Sequence, residues 1–372
     1  MNVFDSKHNN KKKIYHYIRE KGLATKQDIA YNLQLSLPTV AQKLEDLVVR
    51  GLVGAECKVA NKAGGRNPVA YTYVKDAKVA VGLDITKRHI KSVIIDLDGN
   101  IIKYVYRRRL YQRNDGYLKT LGETVEKIID SIGLSRDKVI GVGIAVPGLI
   151  DFEKQCVVRG TVIDNTGMSR EDFSTYIQYP TKLIHDSNAS GFCEIWMSSE
   201  LRNAFYISLC NSVGGTVLID NEVYMGDGLY SGEVGHLNLV TDGMQCYCGQ
   251  KGCADAYLNA ERLADYTNRD LGMFFLRLEQ GDGVLKEIWD EYLEYLAVLI
   301  HDIRMMFGST IIVGGYVGIF IKDYMEVLCE KVNRKNPFGE DAAGYIMPCN
   351  NNTEAVATGA ALYFVKEFIE AI

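Results

Sequence analysis

Residues 79–110 read VAVGLDITKRHIKSVIIDLDGNIIKYVYRRRL and carry three strand patterns in succession. Each pattern is rich in branched apolar residues, and polar or glycine-containing turns separate them. A helical stretch from Gly116 to Ile132 follows, and then a further strand pattern, VIGVGIAVPGLID, at 139–151. Strands that alternate with helices indicate an α/β fold. The pattern therefore predicts an α/β domain over residues 78–372.

The bulk composition is that of a globular protein. With 372 residues, 47% of them hydrophobic and 24% charged, the chain is long enough for two or three folding units. No apolar run approaches the roughly 20 residues that cross a bilayer, and the polar start MNVFDSKHNNKKK lacks the apolar core of a secretory signal. We therefore expect a cytoplasmic protein without membrane partners, in which isolated cysteines such as Cys210 and Cys329 are reduced thiols.

The charge is divided unevenly along the chain. Residues 1–75 hold 13 Lys and Arg against 6 Asp and Glu, a net +7, whereas the whole chain carries −5. A basic N-terminal segment suggests an anionic partner such as a nucleic acid. Charge alone leaves a merely solvated surface equally open, so the pattern of the helices has to decide.

Three short helices are predicted within this basic segment. The first spans Lys11 to about Lys21. Thr25 stands three residues before Asp28 and resembles a capping box at the start of the second. Ser36 caps the third, which ends before Gly51. This succession predicts a helix-turn-helix.

The third helix is predicted to be the helix that reads DNA. It buries one apolar stripe, formed by Val40, Leu44, Leu47 and Val48. In a helix-turn-helix, the start of the second of the paired helices enters the major groove, where short polar side chains reach base edges and lysine meets phosphate. The predicted DNA-contacting residues of this helix are Ser36, Pro38, Thr39, Gln42 and Lys43.

Two strand patterns joined by AGGRNP follow the third helix and are typical of a wing. Arg66 lies at the tip, between glycines and a proline, where it could enter a minor groove. Residues 1–75 are thus predicted to form a winged helix-turn-helix that binds double-stranded DNA. The alternative is a small helical domain that docks on a partner with the same hydrophobic pattern.

A histidine and three cysteines fall within 18 residues, in the segments SGEVGH (231–236) and CYCGQKGC (246–253). One imidazole and three thiolates suit tetrahedral Zn²⁺ in a closed structural site. The alternative is a set of reduced cysteines beside an incidental histidine. The predicted metal ligands are His236, Cys246, Cys248 and Cys253.

The chain resembles the ROK family of repressors, open reading frames and kinases over nearly its whole length. The motifs that carry the resemblance are VGLDI (81–85), VGIAVPGLID (142–151), HDSNA (185–189), VGG (213–215), SGEVGH (231–236), CYCGQKGC (246–253), IIVGG (311–315) and TGAAL (358–362). The resemblance implies a two-lobed, actin-like (ribonuclease H-like) domain with zinc at the cysteine motif. The lobes are expected at about 78–195 and 196–372, with the C-terminal helix returning to the first lobe.

The resemblance also implies a sugar site. Asp186 matches the aspartate that accepts the proton of the attacking sugar hydroxyl in the family's kinases, and Glu233 and His236 match sugar contacts. Asn165 corresponds loosely to a sugar-contacting asparagine, and Asp255 stands where many members have glutamate. His185 precedes Asp186 where the kinases usually have asparagine, which changes one expected contact.

The family's phosphate-binding hairpins differ in this chain. The first, Asp-x-Gly-Gly-Thr in the kinases, is here Asp84-Ile85 followed by Thr86, Lys87 and Arg88. The second, Gly-Thr-Gly-Val-Gly-Gly-Gly in the kinases, is CNSVGGT at 210–216. Glycines let backbone N–H groups approach phosphate oxygens, so their loss predicts a degenerate kinase rather than an enzyme. Lys87 and Arg88 could hold a phosphate by other means.

Together these patterns predict a ligand-responsive repressor. A homo-oligomer, dimer or tetramer, would bind an operator in double-stranded DNA, and a sugar or sugar phosphate in the cleft would change the arrangement of its winged helices. Two alternatives stay open: an active ATP-dependent sugar kinase that also binds DNA, and an interaction module that has lost both functions.

Overall fold

The computed structural model describes residues 3–58, 69–198, 200–350 and 354–372, and it confirms the α/β fold class. Arg66, the predicted wing-tip residue, lies outside the described residues. The helices of the described ranges are α1 (Val3–Lys21), α2 (Lys26–Leu33), α3 (Leu37–Val49), α4 (Asp115–Asp130), α5 (Arg170–Phe173), α6 (Asp186–Met197), α7 (Ala254–Leu258), α8 (Ala260–Ala264), α9 (Leu271–Glu279), α10 (Gly283–Phe307), α11 (Gly315–Ile321), α12 (Met325–Asn333) and α13 (Ala355–Glu370).

The strands of the same ranges form three sheets and a separate hairpin. They are β1 (Leu23–Thr25), β2 (Val53–Lys58), β3 (Val69–Tyr73), β4 (Val79–Ile85), β5 (His89–Ile95), β6 (Ile101–Arg108), β7 (Val139–Val146), β8 (Leu149–Asp151), β9 (Cys156–Arg159), β10 (Thr181–His185), β11 (Ala204–Leu209), β12 (Val213–Ile219), β13 (Glu222–Val223), β14 (Thr310–Gly314) and β15 (Ile346–Pro348).

The N-terminal unit, or head, has three helices and a small antiparallel sheet in the order β1-β3-β2. Thr25 and Asp28 form the expected capping box at the start of α2. Ser36 caps α3, and Gly51, with φ of 69°, follows its end. The strand β1 was not expected from the sequence. The described part of the head therefore has the arrangement of a winged helix.

The rest of the chain repeats one sheet topology twice. The first sheet has the order β6-β5-β4-β7-β10, and the second has the order β13-β12-β11-β14-β15. In each, the first three strands in sequence are antiparallel neighbours, and the last two add in parallel on the other side. Two such sheets with helices packed on them form the two lobes of the domain.

The last helix, α13, packs on the first sheet and against α6. Two glycines permit this approach, because a Cβ on Gly82 would lie 1.8 Å from Ala357 O, and one on Gly359 would lie 1.8 Å from Ala189 O. Most of the small side chains along α13 are fully buried. The chain end is thereby held against the first lobe, between β4 and α6.

The head rests on the first lobe through a shared apolar core. Arg19 of α1 marks this junction: its Nε donates to Asp98 Oδ1 at 2.9 Å and its Nη2 donates to Leu97 O at 3.2 Å. The Arg19 guanidinium also lies 5.5 Å from the centre of the Trp196 ring, at the end of α6. Trp196 Nε1 in turn donates to Asp98 O at 3.1 Å. Among the described helices, none is long and apolar enough to cross a membrane.

Candidate functional site

The cleft between the two lobes contains two adjoining chambers. The outer chamber has a volume of about 500 Å³, and the inner chamber about 510 Å³. Both lie within the size range of small-molecule sites. Asp186, Ser212 and Tyr247 line both chambers and so stand at their junction.

The outer chamber brings together three of the residues that the sequence predicts to bind sugar. Asp186, Glu233 and His236 all line it, and so does His185. Asp186 is the first residue of α6, and Glu233 precedes the short 3₁₀ helix Val234–His236. The carboxylates and imidazole of this set offer acceptors and donors that suit the hydroxyl groups of a sugar.

The close approach of the SGEVGH segment to β12 places Glu233 and His236. A Cβ on Gly235 would lie 2.1 Å from Val213 O, so a larger residue could not occupy this position without displacing the backbone. The backbone between Glu233 and His236 is thereby held against Val213, at the start of β12.

Asp186 is held in place by its neighbours in the chain. Its Oδ1 accepts a hydrogen bond from the Ser187 N–H at 2.7 Å and lies 3.2 Å from His185 Nε2. The Asp186 side chain is 31% exposed. A carboxylate placed at a helix start in this way can accept a hydrogen bond from a ligand hydroxyl.

The four predicted metal ligands lie together. One ligand atom from each of His236, Cys246, Cys248 and Cys253 falls within 4.8 Å of the others. Cys248 Sγ and Cys253 Sγ are 3.7 Å apart, and Cys246 Sγ is 4.0 Å from His236 Nδ1. Thiolates bound to zinc at about 2.3 Å would be separated by about 3.8 Å in a tetrahedron. The cluster can therefore hold a metal ion.

The second nitrogen of His236 faces away from the cysteines. Its Nε2 lies 3.3 Å from the Tyr247 hydroxyl, and the Tyr247 side chain lines the chamber. A metal bound at Nδ1 would fix the proton on Nε2, the ring nitrogen that lies near the Tyr247 hydroxyl at the wall of the outer chamber. The cysteine cluster and the outer chamber thus share one imidazole.

The structure does not bring the other two predicted sugar contacts into the outer chamber. Asn165 is fully buried and lines neither chamber; its Nδ2 donates to Pro147 O at 3.1 Å. Asp255 faces the inner chamber, where its Oδ1 accepts the Val213 N–H at 2.6 Å. Burial raises the pKa of Asp255, and the hydrogen bond from Val213 opposes that shift.

Three backbone N–H groups of the two hairpins bind side-chain acceptors within the protein. In the β4–β5 turn, Thr86 Oγ1 accepts from the N–H groups of Arg88 at 3.4 Å and His89 at 3.2 Å. In the β11–β12 hairpin, Asp255 accepts the Val213 N–H. Groups that hold these internal partners cannot at the same time hold phosphate oxygens.

A buried ion pair occupies the wall of the inner chamber. Lys91 Nζ lies 3.9 Å from Asp84 Oδ2 and 5.4 Å from the centre of the Tyr316 ring. Burial raises the pKa of Asp84 to about 6; Lys91 lowers this pKa and Asp186 adds to the increase. Burial and the nearby Lys91 lower the pKa of His89 to about 4, which keeps its ring neutral near pH 7.

The predicted DNA-reading residues lie along the start of α3. Ser36 and Thr39 form the helix cap, with Thr39 N donating to Ser36 Oγ at 3.3 Å and the two hydroxyls 2.8 Å apart. Pro38 and Gln42 are exposed, and Lys43 is partly exposed. Ser36 and Thr39 are thus engaged in the helix cap. The other three predicted DNA-contacting side chains, Pro38, Gln42 and Lys43, take no part in it.

Sequence reasoning missed several residues that line the outer chamber, among them Tyr230, Tyr247 and Arg159. Both tyrosines adjoin recognised motifs, since Tyr230 precedes SGEVGH and Tyr247 lies within CYCG. Aromatic residues beside polar ligand groups are a usable signal for a sugar site. Arg159, at the end of β9, offers no such local signal.

Comparison with known proteins places the chain in a family. Residues 80–367 match the ROK family. The chain belongs to the ROK family. Within it, the "Xylose repressor" of Bacillus subtilis (strain 168) is 28% identical over 235 residues, which is 62% of this chain and 60% of that protein.

ROK proteins of two kinds share the fold in solved structures. A ROK family transcriptional regulator, homologous to the E. coli MLC protein, aligns with a TM-score of 0.77 and 17% identity over 98% of this chain and 97% of its own. A ROK glucokinase from Streptomyces griseus, solved with glucose and AMPPNP, aligns with a TM-score of 0.63 and 20% identity over 77% and 98% of the two chains. The regulator thus matches the head as well as the ROK domain, whereas the kinase matches the ROK domain.

Proposed function

We propose that this protein is a sugar-responsive transcriptional repressor that binds its operator as a homo-oligomer. The observation that carries the proposal is the presence, in one chain, of a winged helix and of a chamber lined by Asp186, Glu233 and His236. The chain spans only 60% of the length of the B. subtilis repressor that it matches, so the proposal rests on this geometry first.

The head is proposed to bind double-stranded DNA through the start of α3. Pro38, Gln42 and Lys43 would face the major groove, with Ser36 and Thr39 holding the helix start in shape. The net +7 charge of residues 1–75 would supply the attraction to phosphate that does not depend on sequence. Arg66, which the sequence places in the predicted wing, would add a minor-groove contact.

The effector is proposed to be a small sugar in the outer chamber. Asp186 and Glu233 would accept hydrogen bonds from its hydroxyls, and His236 Nε2–H would donate one. Xylose is the first ligand to test, because the B. subtilis relative is a xylose repressor. Asn165 and Asp255 would not contact the sugar directly. Asn165 would support the loop at Pro147, and Asp255 would support the β11–β12 hairpin.

We propose Zn²⁺ as the ion of the cysteine cluster. Three thiolates and one imidazole are the donor set of structural zinc sites. The ion would supply a fixed attachment point for the 246–253 loop, and the chain's own His236 and Tyr247 would then present their polar atoms to the sugar.

The helix α6 offers a direct route from the sugar site to the head. It begins at Asp186 in the cleft, and Trp196 near its end contacts Arg19 and Asp98 at the head junction. Twelve helical residues span roughly 18 Å. A shift of α6 on sugar binding would therefore change the position of α1 on the first lobe. This requires that the sugar bind the shifted and unshifted arrangements of α6 with different affinity.

An operator-binding titration tests the proposal. DNA selected from genomic fragments would be titrated with the protein at fixed salt, with and without xylose and a panel of other sugars. We expect specific binding that one sugar changes at least tenfold, and Gln42→Ala should weaken specific binding while leaving the sugar affinity intact. Absence of specific DNA binding, or of any sugar effect, would refute the proposal.

An ATP-dependent sugar kinase is the second candidate function. One observation favours it: Asp186 lies at the junction of the two chambers, where a base for phosphoryl transfer would stand. The internally bonded hairpins argue against it, because transfer depends on the positioning of the phosphates.

A further inference from the structure

A groove lined by three arginines lies beside the inner chamber. Its volume is about 340 Å³, and its lining residues are Arg88, Arg108, Arg109, Leu110 and Gln112. Two backbone hydrogen bonds join its two sides: Arg109 N donates to Arg88 O at 2.9 Å, and Tyr111 N donates to Lys87 O at 3.0 Å. The β4–β5 turn and the end of β6 thus hold the arginines together.

The arginines of this groove lack acidic partners within the described residues. No carboxylate oxygen there lies within 4.0 Å of a guanidinium nitrogen of Arg88, Arg108 or Arg109. Arg136, by contrast, pairs with Glu126 at 2.8 Å and with Asp130 at 3.0 Å. Like charges gathered without counter-charges repel one another, so an anion in the groove would stabilise the arrangement.

One donor in the groove is buried and unsatisfied. The Nε–H of Arg109 is removed from solvent and contacts no acceptor within the described part of the chain. Buried donors in native proteins almost always have a partner, because an unpaired one keeps its full desolvation cost. A shift of the Arg109 side chain toward a ligand oxygen in the groove would remove this cost.

The groove opens toward the cleft through Arg88, which lines both the groove and the inner chamber. Lys87 lines the inner chamber as well, near Asp84 and Asp186. A ligand with an anionic end in the groove could therefore extend a hydroxylated body into the chamber. Planar guanidinium groups that form paired hydrogen bonds favour a phosphate as that anionic end.

We propose that this groove binds the phosphate of a sugar phosphate whose body enters the inner chamber. Arginine side chains would thus bind the phosphate in place of the backbone N–H groups of the two hairpins, which donate to Thr86 and Asp255 instead. The inference deepens the proposed function by adding a second, phosphorylated effector, and it rests on that function only for its regulatory meaning. DNA is not the expected ligand, since the groove lies at the far end of β6 from the head, roughly 24 Å along the strand.

Calorimetry on the full chain in phosphate-free buffer at low salt tests the proposal. The probes are glucose 6-phosphate, glucose, inorganic phosphate and AMP. We expect glucose 6-phosphate to bind at least tenfold more tightly than inorganic phosphate and than AMP. Equal affinity for inorganic phosphate, tighter binding of AMP, or no binding of glucose 6-phosphate would overturn it.

Two arginine variants assign the site. Arg88→Gln combined with Arg109→Gln should weaken glucose 6-phosphate binding at least tenfold, whereas Arg136→Gln, which removes an exposed arginine elsewhere, should leave it within twofold. Equal losses in both proteins would indicate unspecific charge attraction and overturn the assignment. If the double variant fails to fold, Arg88→Lys replaces it, because lysine keeps the charge but lacks the paired N–H donors of a guanidinium. It should weaken glucose 6-phosphate binding at least threefold. An unchanged affinity would overturn the assignment.

A parallel titration with xylose and other unphosphorylated sugars separates this proposal from the first. If the wild-type protein binds an unphosphorylated sugar but not glucose 6-phosphate, the groove proposal alone is refuted. Loss of sugar binding with glucose 6-phosphate binding intact would refute the outer-chamber proposal alone.

Discussion

The two chambers of the cleft differ in how far their polar groups are already satisfied. In the outer chamber, Asp186 and Glu233 are partly exposed, and His236 Nε2 lies 3.3 Å from the Tyr247 hydroxyl. In the inner chamber, the N–H groups of Arg88 and His89 donate to Thr86, and Asp84 is paired with Lys91. Asp255 of the same chamber accepts the N–H of Val213, which lines the outer chamber.

This difference supports a sugar, rather than ATP, as the proposed ligand. A polar group that binds a ligand must give up its present partner, and an internal partner at a fixed distance is harder to displace than water. In the proposed function, the outer chamber therefore offers its polar groups to a sugar, whereas three backbone N–H groups of the two hairpins already donate to acceptors within the protein. Four predictions test this contrast.

The largest effect should follow from disrupting the cysteine cluster. Cys253→Ser removes one of four ligand atoms that lie within 4.8 Å of one another and should release the 246–253 loop that carries Tyr247. We expect sugar affinity to fall more than about 100-fold and the melting temperature to drop by roughly 10 °C or more. Calorimetry and thermal unfolding measure both quantities.

Cys156→Ser is the matched control, because Cys156 lies outside the cluster and is only partly buried. It should leave both quantities nearly unchanged. Metal analysis of the purified wild-type protein should find one zinc per chain. A Cys253→Ser protein that binds sugar normally would break the proposed link between the metal and the outer chamber.

The second effect concerns the buried carboxylate of the inner chamber. The pKa of Asp84 is raised to about 6 in the folded protein, above the ordinary value of 3.8. The folded state therefore keeps a proton that the unfolded state loses, and the free energy of unfolding should fall as pH rises from about 4 to about 6. The decrease should be up to about 3 kcal/mol.

Urea unfolding at pH 4.5 and pH 7 measures this slope. Asp84→Asn cannot titrate, so its contribution to the slope should disappear even if the loss of the Lys91 pair lowers stability at every pH. An unchanged slope in Asp84→Asn would show that another group causes the pH dependence.

The third effect compares one carboxylate from each chamber. Asp186→Asn removes a charged acceptor from the outer chamber and should weaken sugar binding by about 10- to 100-fold, because hydrogen bonds to charged groups contribute about 1.5–3 kcal/mol. Asp255→Asn should leave sugar affinity within about threefold, because Asp255 binds the Val213 N–H instead. Calorimetry with the best sugar distinguishes the two variants, and equal losses would contradict the separation of the chambers.

The fold and the metal cluster could be predicted from the sequence because their signals are local. The capping box of Thr25 and Asp28, and the spacing of Cys246, Cys248 and Cys253, depend on residues close together in the chain. The roles of Asp255 and Asn165 could not be read in this way. Asp255 accepts a hydrogen bond from a backbone group 42 residues away, and only the folded chain shows this contact.

The arginine groove illustrates the same limit. Arg88 and Arg109 are 21 positions apart in the sequence, and the pairing of β5 with β6 brings their backbones within hydrogen-bonding distance. Sequence reasoning identified Lys87 and Arg88 as possible phosphate ligands, but it gave no reason to include the arginines at the end of β6. The register of β5 against β6, which is set by pairing across the sheet, determines which arginines line the groove.

The smallest expected effect is on phosphoryl transfer. In a coupled assay for ADP release with MgATP and sugar, the wild-type protein should stay at background. Thr86→Gly frees the N–H groups of Arg88 and His89, yet it should not restore transfer, because Asp255 still holds the Val213 N–H and Lys91 still occupies the chamber wall. Sugar-dependent ADP release that Asp186→Asn abolishes would instead establish a kinase. It would also show that internal hydrogen bonds in the two hairpins do not prevent phosphate binding.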